Sequence, residues 1–348
     1  MSLRPQNADS RNQADSSVLV VLLNYKTPEM TIKSLRAAMD AMEDLAGEIT
    51  VVDNASGDGS LNIIRAAAED AGWLQSGRVR LLQSPVNGGF GAGMNFGINA
   101  GLSDGTKPAF YYLLNSDAFC NERTIEALRE FLHATPDAGF AGSYVHGIEG
   151  EPHCTAFRFP SLASEFEGAA QTGLITRLLP DVSVAMELPD KAVQVDWTAG
   201  ASLMIRAESI DAVSGFDERF FLYFEETELC HRAAQAGWNT YYVPDSTIAH
   251  LGSVSTGMKD WSRTPSYWFD SRWHYFSTTR SRNYALAATL ARFAGAAIYG
   301  LRRLIERKPQ VEPDGFYRDL LNHLLAQISL KAKAPKVQPL THNAKDTK

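Results

Sequence analysis

The sequence predicts an α/β protein, a mostly parallel central sheet flanked by helices, followed by a C-terminal helical appendage. Two observations carry this prediction. Short β-branched or aromatic runs at residues 18–23, 48–53, 79–83 and 111–114 alternate with helix-periodic segments at the spacing of βα units. Beyond Trp261 the strand signals stop, and residues 284–301 are almost wholly apolar or small.

Each element has its own warrant. Residues 18–23 form a continuous apolar run, as a strand buried on both faces requires. Asn24-Tyr25-Lys26-Thr27-Pro28 then supplies a loop and a proline suited to a first helical turn. Met30, Leu35, Ala38, Met39 and Met42 give the next segment a helical stripe, over about residues 29–44. The second strand, 48–53, ends in Asp53, an acid at a carboxyl end where ligands of open α/β sheets bind. A helix to about Ala71 and the strand 79–83 follow. The strand at 111–114 ends in Asn115-Ser116-Asp117, three small polar residues that turn the backbone and present oxygens. Asp117 is read as a carboxylate for a divalent cation held against a nucleotide diphosphate. The competing reading is a cap for a helix starting near Glu122.

Composition narrows the function. With 348 residues, 45% of them hydrophobic and 21% charged, the chain can bury one large core, or a domain plus an appendage. A formal charge of −7 excludes a general nucleic-acid binder, which needs a basic surface. Cys120, Cys154 and Cys230 are far apart, odd in number and without metal spacing, so reduced thiols in the cytoplasm are expected. Residues 1–16 are polar and lack an apolar stretch, so they are expected to be disordered and not a signal peptide. The Lys-rich tail, 332–348, is expected to be disordered too.

Gly88, Gly89, Gly91 and Gly93 do not form a dinucleotide-binding fingerprint, because they follow the third strand and not the first. The glycines fit either close approach of backbone to a diphosphate or sugar, or a tight turn with close helix packing.

Four ordered motifs now stand together: Val-Val-Leu-Leu-Asn-Tyr (20–25), Thr-Val-Val-Asp-Asn-Ala-Ser-Gly-Asp-Gly-Ser (50–60), Asn-Gly-Gly-Phe-Gly-Ala-Gly-Met-Asn (87–95) and Leu-Leu-Asn-Ser-Asp-Ala (113–118). Over roughly residues 17–255 the chain resembles glycosyltransferase family 2, and within it the rhamnosyltransferase-like branch. The resemblance implies an inverting, metal-dependent enzyme with the GT-A nucleotide-diphospho-sugar transferase fold. It also implies a Mn²⁺ or Mg²⁺ cofactor. The positions it marks for the nucleotide sugar are Leu23, Tyr25, Asp53, Asn87, Gly89, Asn115, Ser116, Trp197 and Gly200. Asp53 contacts the nucleoside in this reading, and Trp197 stacks on a sugar or acceptor face. The family's strand-end triplet is often Asp-x-Asp; here Asn115 replaces the first acid, leaving one formal charge fewer for the metal.

Two further stretches follow from the same resemblance. Aromatic residues lead from Gly215 into Glu225 and Glu226 at an expected helix N-terminus, where the dipole favours carboxylates. Glu226 falls on the position of the catalytic base, with Glu225 its competitor. His250 ends the second of two short strands expected at 241–245 and 248–250, and completes the metal site with Asp117. Strands are also expected at 139–144, 193–197 and 201–205. Residues 151–189, poorly patterned, are expected to border the acceptor.

The expected organisation is therefore a catalytic domain at 17–260, with a nucleotide-binding half at 17–120 and an acceptor half at 121–260, then helices at 261–331. The donor expected from the resemblance is dTDP-L-rhamnose and the acceptor a saccharide or a lipid-linked saccharide for cell-surface polysaccharide. Galactofuranose, glucose or N-acetylglucosamine donors, and an inactive nucleotide-sugar-binding scaffold, are the alternatives. The Arg-flanked apolar run at 284–301 is expected to pack on the catalytic domain, to lie on a membrane surface or to join a homodimer, its central Arg292 being unfavourable in a bilayer.

Overall fold

The computed structural model describes residues 16–179, 181–252 and 261–333. Strands are β1 (Val18–Asn24), β2 (Gly47–Asp53), β3 (Val79–Gln83), β4 (Phe110–Asn115), β5 (Ala118–Cys120), β6 (Ala138–His146), β7 (Pro152–His153), β8 (Val193–Val195), β9 (Ser202–Arg206) and β10 (Asn239–His250). Helices are α1 (Pro28–Ala41), α2 (Ser60–Asp70), α3 (Phe90–Asn99), α4 (Thr124–Ala134), α5 (Leu162–Ala170), α6 (Gly173–Leu178), α7 (Ala207–Ala212), α8 (Glu225–Gln235), α9 (Ser266–Thr279), α10 (Arg282–Glu306) and α11 (Phe316–Lys333). The strands join one sheet in the order β3-β2-β1-β4-β9-β6-β10-β5, with β7 on β6 and β8 on β10.

The first half of the sheet, β3-β2-β1-β4, is parallel throughout. Its order reverses at β1, whose neighbours are β2 on one side and β4 on the other, so their carboxyl ends open a crevice there. Register aligns Asn24 with Asp53 and Leu23 with Asn115 across that edge. Both faces of β1 are buried: Val18, Val20 and Leu22 pack with Leu35 and Ile64, while Leu19 and Val21 pack with Met94 and Ile98. This is why the strand reads as an unbroken apolar run. In the second half β9 runs antiparallel to both β4 and β6, and β10 returns parallel to β6.

Several expectations are corrected here. The two short strands around residue 245 are one strand, β10, whose pairing with β6 jumps from Val243 to Thr247. Pro244 cannot donate to the ladder, so the chain bulges past it and resumes. Asn115-Ser116-Asp117 does not cap α4, because β5 intervenes and Asn121 and Thr124 bond to each other at the helix start. The glycine-rich segment is mostly helix, since α3 begins at Phe90. Gly91, Gly93 and Gly97 pack there against Phe216, Leu23 and Val21, where a Cβ would collide with each.

The C-terminal helices are tied to the rest by a buried ionic cluster. Glu165 of α5 accepts from Arg272 of α9 at 2.8 and 3.2 Å and from Arg292 of α10 at 3.4 Å. Gly295 lets α10 meet α5, a Cβ at that position falling 2.3 Å from the carbonyl oxygen of Phe166. One face of α10 thus packs on α5, while Leu290, Leu301, Leu304 and Ile305 stay exposed. The helix is long and apolar enough to cross a membrane by length and composition, yet it carries this packed face. Helix α11 continues to Lys333, beyond the end expected for it. The expectations for residues 1–15 and 334–348 lie outside the described residues.

Candidate active site

A cavity of about 630 Å³ opens at the carboxyl ends of β1 and β4, a size usual for small-molecule sites. Leu23 lies in β1, and loop residues after β1, β2 and β3 supply Tyr25, Asn54, Asn87 and Gly89; Asn115 ends β4, with Ser116 and Asp117 after it; His250 ends β10. The opposite side is built by Gly200, by the segment from Phe221 to Glu226, and by Tyr267 of α9. The chain thus brings eleven of the thirteen residues expected from the sequence to one cavity.

The floor is a polar lattice that fixes the loops. Thr27 Oγ1 bonds Ser116 Oγ at 3.1 Å, joining the β1 and β4 loops. Asn54 Nδ2 donates to Asn87 Oδ1 and to the Gly89 carbonyl, both at 3.0 Å, and Asn87 Oδ1 also accepts from the Gly89 amide. Gly89 has φ +93°, and a Cβ on it would lie 1.8 Å from the carbonyl oxygen of Phe221. That carbonyl accepts from the Phe90 amide at 3.1 Å. Only glycine lets the loop after β3 seat directly on the segment that leads to the glutamates.

Asp117 and His250 are neighbours: Nε2 of His250 lies 3.1 Å from Oδ1 of Asp117, and both side chains are largely buried. Asn115 Nδ2 is 3.5 Å from the same His250 nitrogen. Two ligands at right angles, each about 2.1 Å from an octahedral cation, stand about 3.0 Å apart. The pair therefore has the spacing of two adjacent ligands, and imidazole with carboxylate suits a first-row divalent ion. Among the described residues no group of three or more His, Cys, Asp or Glu clusters to hold a metal, so this pair needs ligand oxygens from elsewhere to complete a coordination shell.

The acid pair has a different character. Glu225 is 4% exposed and Glu226 half-buried, and Oε2 of each has no hydrogen-bond partner among the described residues. Burial pushes the Glu225 carboxyl well above the ordinary carboxylate range, and the neighbouring Glu226 pushes it further. Burial also raises Glu226, but its own amide and that of Gly200 donate to it and oppose the shift. Both carboxyls are thus pushed toward the protonated form, Glu225 with only burial and its neighbour acting on it and Glu226 with two amides working against the shift. Both sit at the N-terminus of α8, whose backbone enters through Tyr223 and Phe224 at φ 70° and 68°. A left-handed conformation costs a bulky L-residue about 1–2 kcal/mol, so the pair is aimed at the cavity by a strained turn.

Two expected residues are elsewhere. Asp53 is 1% exposed and does not line the cavity; Oδ1 accepts from Asn24 at 2.7 Å and Ser56 Oγ at 2.5 Å, and Oδ2 from the Ser56 amide. Its oxygens hold the β1 and β2 loops together. Trp197 stacks on Phe157 with centroids 4.1 Å apart, donates Nε1 to the Arg158 carbonyl and leaves the cavity wall. Conversely, Asn54, His153, Phe221, Tyr223 and Tyr267 line the cavity without having been expected. Phe221 and Tyr223 lie in the aromatic run before the glutamates, a visible signal. His153 and Tyr267 come from β7 and α9, and only the tertiary fold brings them in. His153 places the start of the 151–189 segment at the cavity, beside His250.

The fold is that of the GT-A glycosyltransferases. The mannosyltransferase PcManGT from Pyrobaculum calidifontis, solved with GDP-Man and Mn²⁺, superposes with a TM-score of 0.52 at 15% identity, over 91% of this chain and 81% of its own. Residues 17–184 match glycosyl transferase family 2. The N-acetylglucosaminyl-diphospho-decaprenol L-rhamnosyltransferase of Mycobacterium tuberculosis is similar at 27% identity over 70% of this chain and 78% of its own length. The rhamnosyltransferase WbbL of Escherichia coli is 33% identical over 27% of this chain and 33% of its own.

Proposed function

We propose that this glycosyltransferase moves L-rhamnose from dTDP-L-rhamnose, with inversion, to a hydroxyl of a lipid-linked saccharide destined for a cell-surface polysaccharide. The observation that carries the reading is one cavity holding both an acid pair, one oxygen of each without a partner among the described residues, and an adjacent Asp–His pair. The printed activities of the bacterial relatives support the choice of sugar and of a lipid-linked acceptor.

In this mechanism Glu226 accepts the proton of the acceptor hydroxyl as its oxygen attacks the anomeric carbon, and the bond to the nucleoside diphosphate breaks on the opposite face. The Gly200 amide donates to Glu226 and favours its charged form against the pull of burial. Burial and the adjacent Glu226 favour the neutral form of Glu225, which lowers the repulsion within the pair. Asp117 and His250 would hold a Mn²⁺ or Mg²⁺ ion, which when bound supplies positive charge to the diphosphate. Tyr25, Asn54, Asn87 and Gly89 border the donor, while Asp53 acts only by positioning Asn24 and Ser56.

Calorimetry with dTDP and UDP, each with Mn²⁺ and with EDTA, tests the assignment. Tighter binding of dTDP, lost with EDTA, is expected. Unchanged affinity in EDTA would remove Asp117 and His250 as metal ligands, and a preference for UDP would point to another donor sugar. Release of dTDP from dTDP-rhamnose separates an active transferase from a scaffold that only binds.

We also propose that residues 17–260 act as the catalytic domain, working at the cytoplasmic face of the membrane. Exposed Leu301, Leu304 and Ile305 beside Arg302, Arg303, Arg307 and Lys308 support contact with anionic headgroups. Sedimentation with anionic vesicles checks it, and a concentration-dependent dimer would favour the homodimer instead.

A further inference from the structure

The cavity has an aromatic wall that the mechanism above leaves unused. Phe221 is 36% exposed although it lines the cavity. Tyr267 of α9 lies 5.5 Å from it, ring centroid to ring centroid. Tyr223 stacks parallel to Tyr267 at 6.3 Å, and Trp261 backs both, at 5.6 Å from Tyr223 and 6.2 Å from Tyr267. The rings brace one another from outside the cavity while Phe221, Tyr223 and Tyr267 present surface to it.

Three features set this wall apart from core packing. An aromatic ring left with cavity-facing surface forgoes burial that the fold elsewhere secures, as Trp197 does against Phe157. The wall leads into the acid pair through two consecutive left-handed residues, Tyr223 and Phe224, so ring placement and carboxylate placement are set by one strained turn. The Phe221 carbonyl is also clamped by Phe90 and Gly89, which fixes the wall relative to the loop after β3. The other face of the cavity, with Asp117, His250 and Asn87, has the polar chemistry of a diphosphate site.

We propose that Phe221, Tyr223 and Tyr267 form the acceptor subsite, an aromatic wall that takes the apolar C–H face of a pyranose and so presents its hydroxyl to Glu226. This rests on the reading of Glu226 as the base. It makes the C-terminal helices part of the substrate site, since α9 contributes Tyr267 and α9 is held to α5 by the Arg272–Glu165 pair.

Trp261, in contact with the wall, reports its occupancy by fluorescence, read against the Trp261→Phe variant. Octyl N-acetylglucosaminide and octyl glucoside serve as probes in the presence of dTDP and Mn²⁺. Saturable binding of at least one is expected, weakened about tenfold in Tyr267→Ala and in Phe221→Ala. It should be retained in Tyr267→Phe, where the ring remains. Affinity for dTDP, measured in parallel, should be unchanged in all three and also reports folding. Absence of saturable glycoside binding by the wild type, or Ala variants that bind glycoside normally, would overturn the subsite. Loss of dTDP affinity in place of glycoside affinity would assign the wall to the donor. Since neither readout needs turnover, a failure of the transferase reading would show as dTDP that does not bind or a donor that is not cleaved, leaving this test separate.

Discussion

Two buried carboxylate sites in this chain have opposite surroundings. Glu165 is 7% exposed, and its oxygens are met by Arg272, itself 1% exposed, and by Arg292. Burial alone would raise its pKa, but the two guanidiniums overcome that and hold it below the ordinary carboxylate value. Glu225 is as deeply buried, yet among the described residues it meets another carboxylate and no cation, and it is pushed the other way. The difference is one of purpose: Glu165 joins three helices, whereas the Glu225–Glu226 pair keeps unpartnered oxygens facing a cavity. An uncompensated buried acid persists only where the fold over-determines it, and here it marks the site.

The sharpest way to break this contrast is to neutralise the cavity acid proposed as the base. Glu226→Gln keeps the size of the side chain and removes its proton acceptance. Turnover should fall by about 10²- to 10⁴-fold, with dTDP affinity unchanged. If Glu225→Gln is the more damaging in the same steady-state assay, the roles of the two are exchanged. The surviving turnover of the wild type should rise with pH along a limb displaced above the ordinary glutamate value, because burial raises Glu226.

At the other site the loss is of stability. Arg272→Met leaves Glu165 with only the more distant Arg292, and removing one partner of a buried pair costs about 3–5 kcal/mol. Urea denaturation at neutral pH measures it; a loss within 1 kcal/mol of zero would mean that the cluster does not tie α9 to α5. The sign with pH follows from the lowered value at Glu165. Its stabilising contribution is present above the unfolded-state pKa and is lost as pH falls through the folded one.

The same contrast explains what the sequence could and could not reveal. The β1 to β4 strands were legible because both-face burial forces continuous apolar runs, and the polar end of β4 pointed to Asp117 without tertiary knowledge, whereas Asn87 and Glu226 were marked through the family resemblance. Asp53 and Trp197 have the right residue types in the right order. Their partners, Asn24 and Ser56 for one and Phe157 for the other, come from loops whose approach no local pattern records. Tyr267 was hidden for the complementary reason: it belongs to an Arg- and aromatic-rich helix that reads as an appendage until packing brings it to the cavity. The glycine-rich segment was half legible, since Gly89 serves the site and the glycines after it serve helix packing.

A smaller effect separates the acids by the reverse operation. Because the pKa of Glu225 is raised on folding, the stability associated with its protonated form is fully present below the unfolded-state value and is lost as pH rises through the folded one. Glu225→Gln should therefore flatten the decline of the melting temperature toward high pH, and should make the protein more stable than wild type at pH 8. Differential scanning fluorimetry across pH 5–9 reads this directly. A Gln variant that melts lower than wild type throughout would show that Glu225 is compensated by a contact it makes when charged.

The smallest expected effect tests the Asp–His pair from the side of its missing acid. Asn115 stands 3.5 Å from His250 Nε2, at the position where a second carboxylate would face the same point as Asp117. Replacing it by Asp adds a negative charge without changing the side chain's shape. If Asp117 and His250 hold a cation, the added charge gives the ion a stronger field, and Mn²⁺ should bind more tightly in the presence of dTDP. The gain should be no more than about tenfold, or 1.4 kcal/mol, because the new carboxylate also repels the diphosphate that shares the ion. Without a cation the charge has only Asp117 and the diphosphate to meet, both negative, so dTDP affinity in EDTA should fall. Calorimetric titration of Asn115→Asp with Mn²⁺ and dTDP thus gives changes of opposite sign with and without the ion. A fall in both would mean that no cation joins Asp117 to His250, and that their 3.1 Å contact is a structural hydrogen bond like the one that holds Asp53.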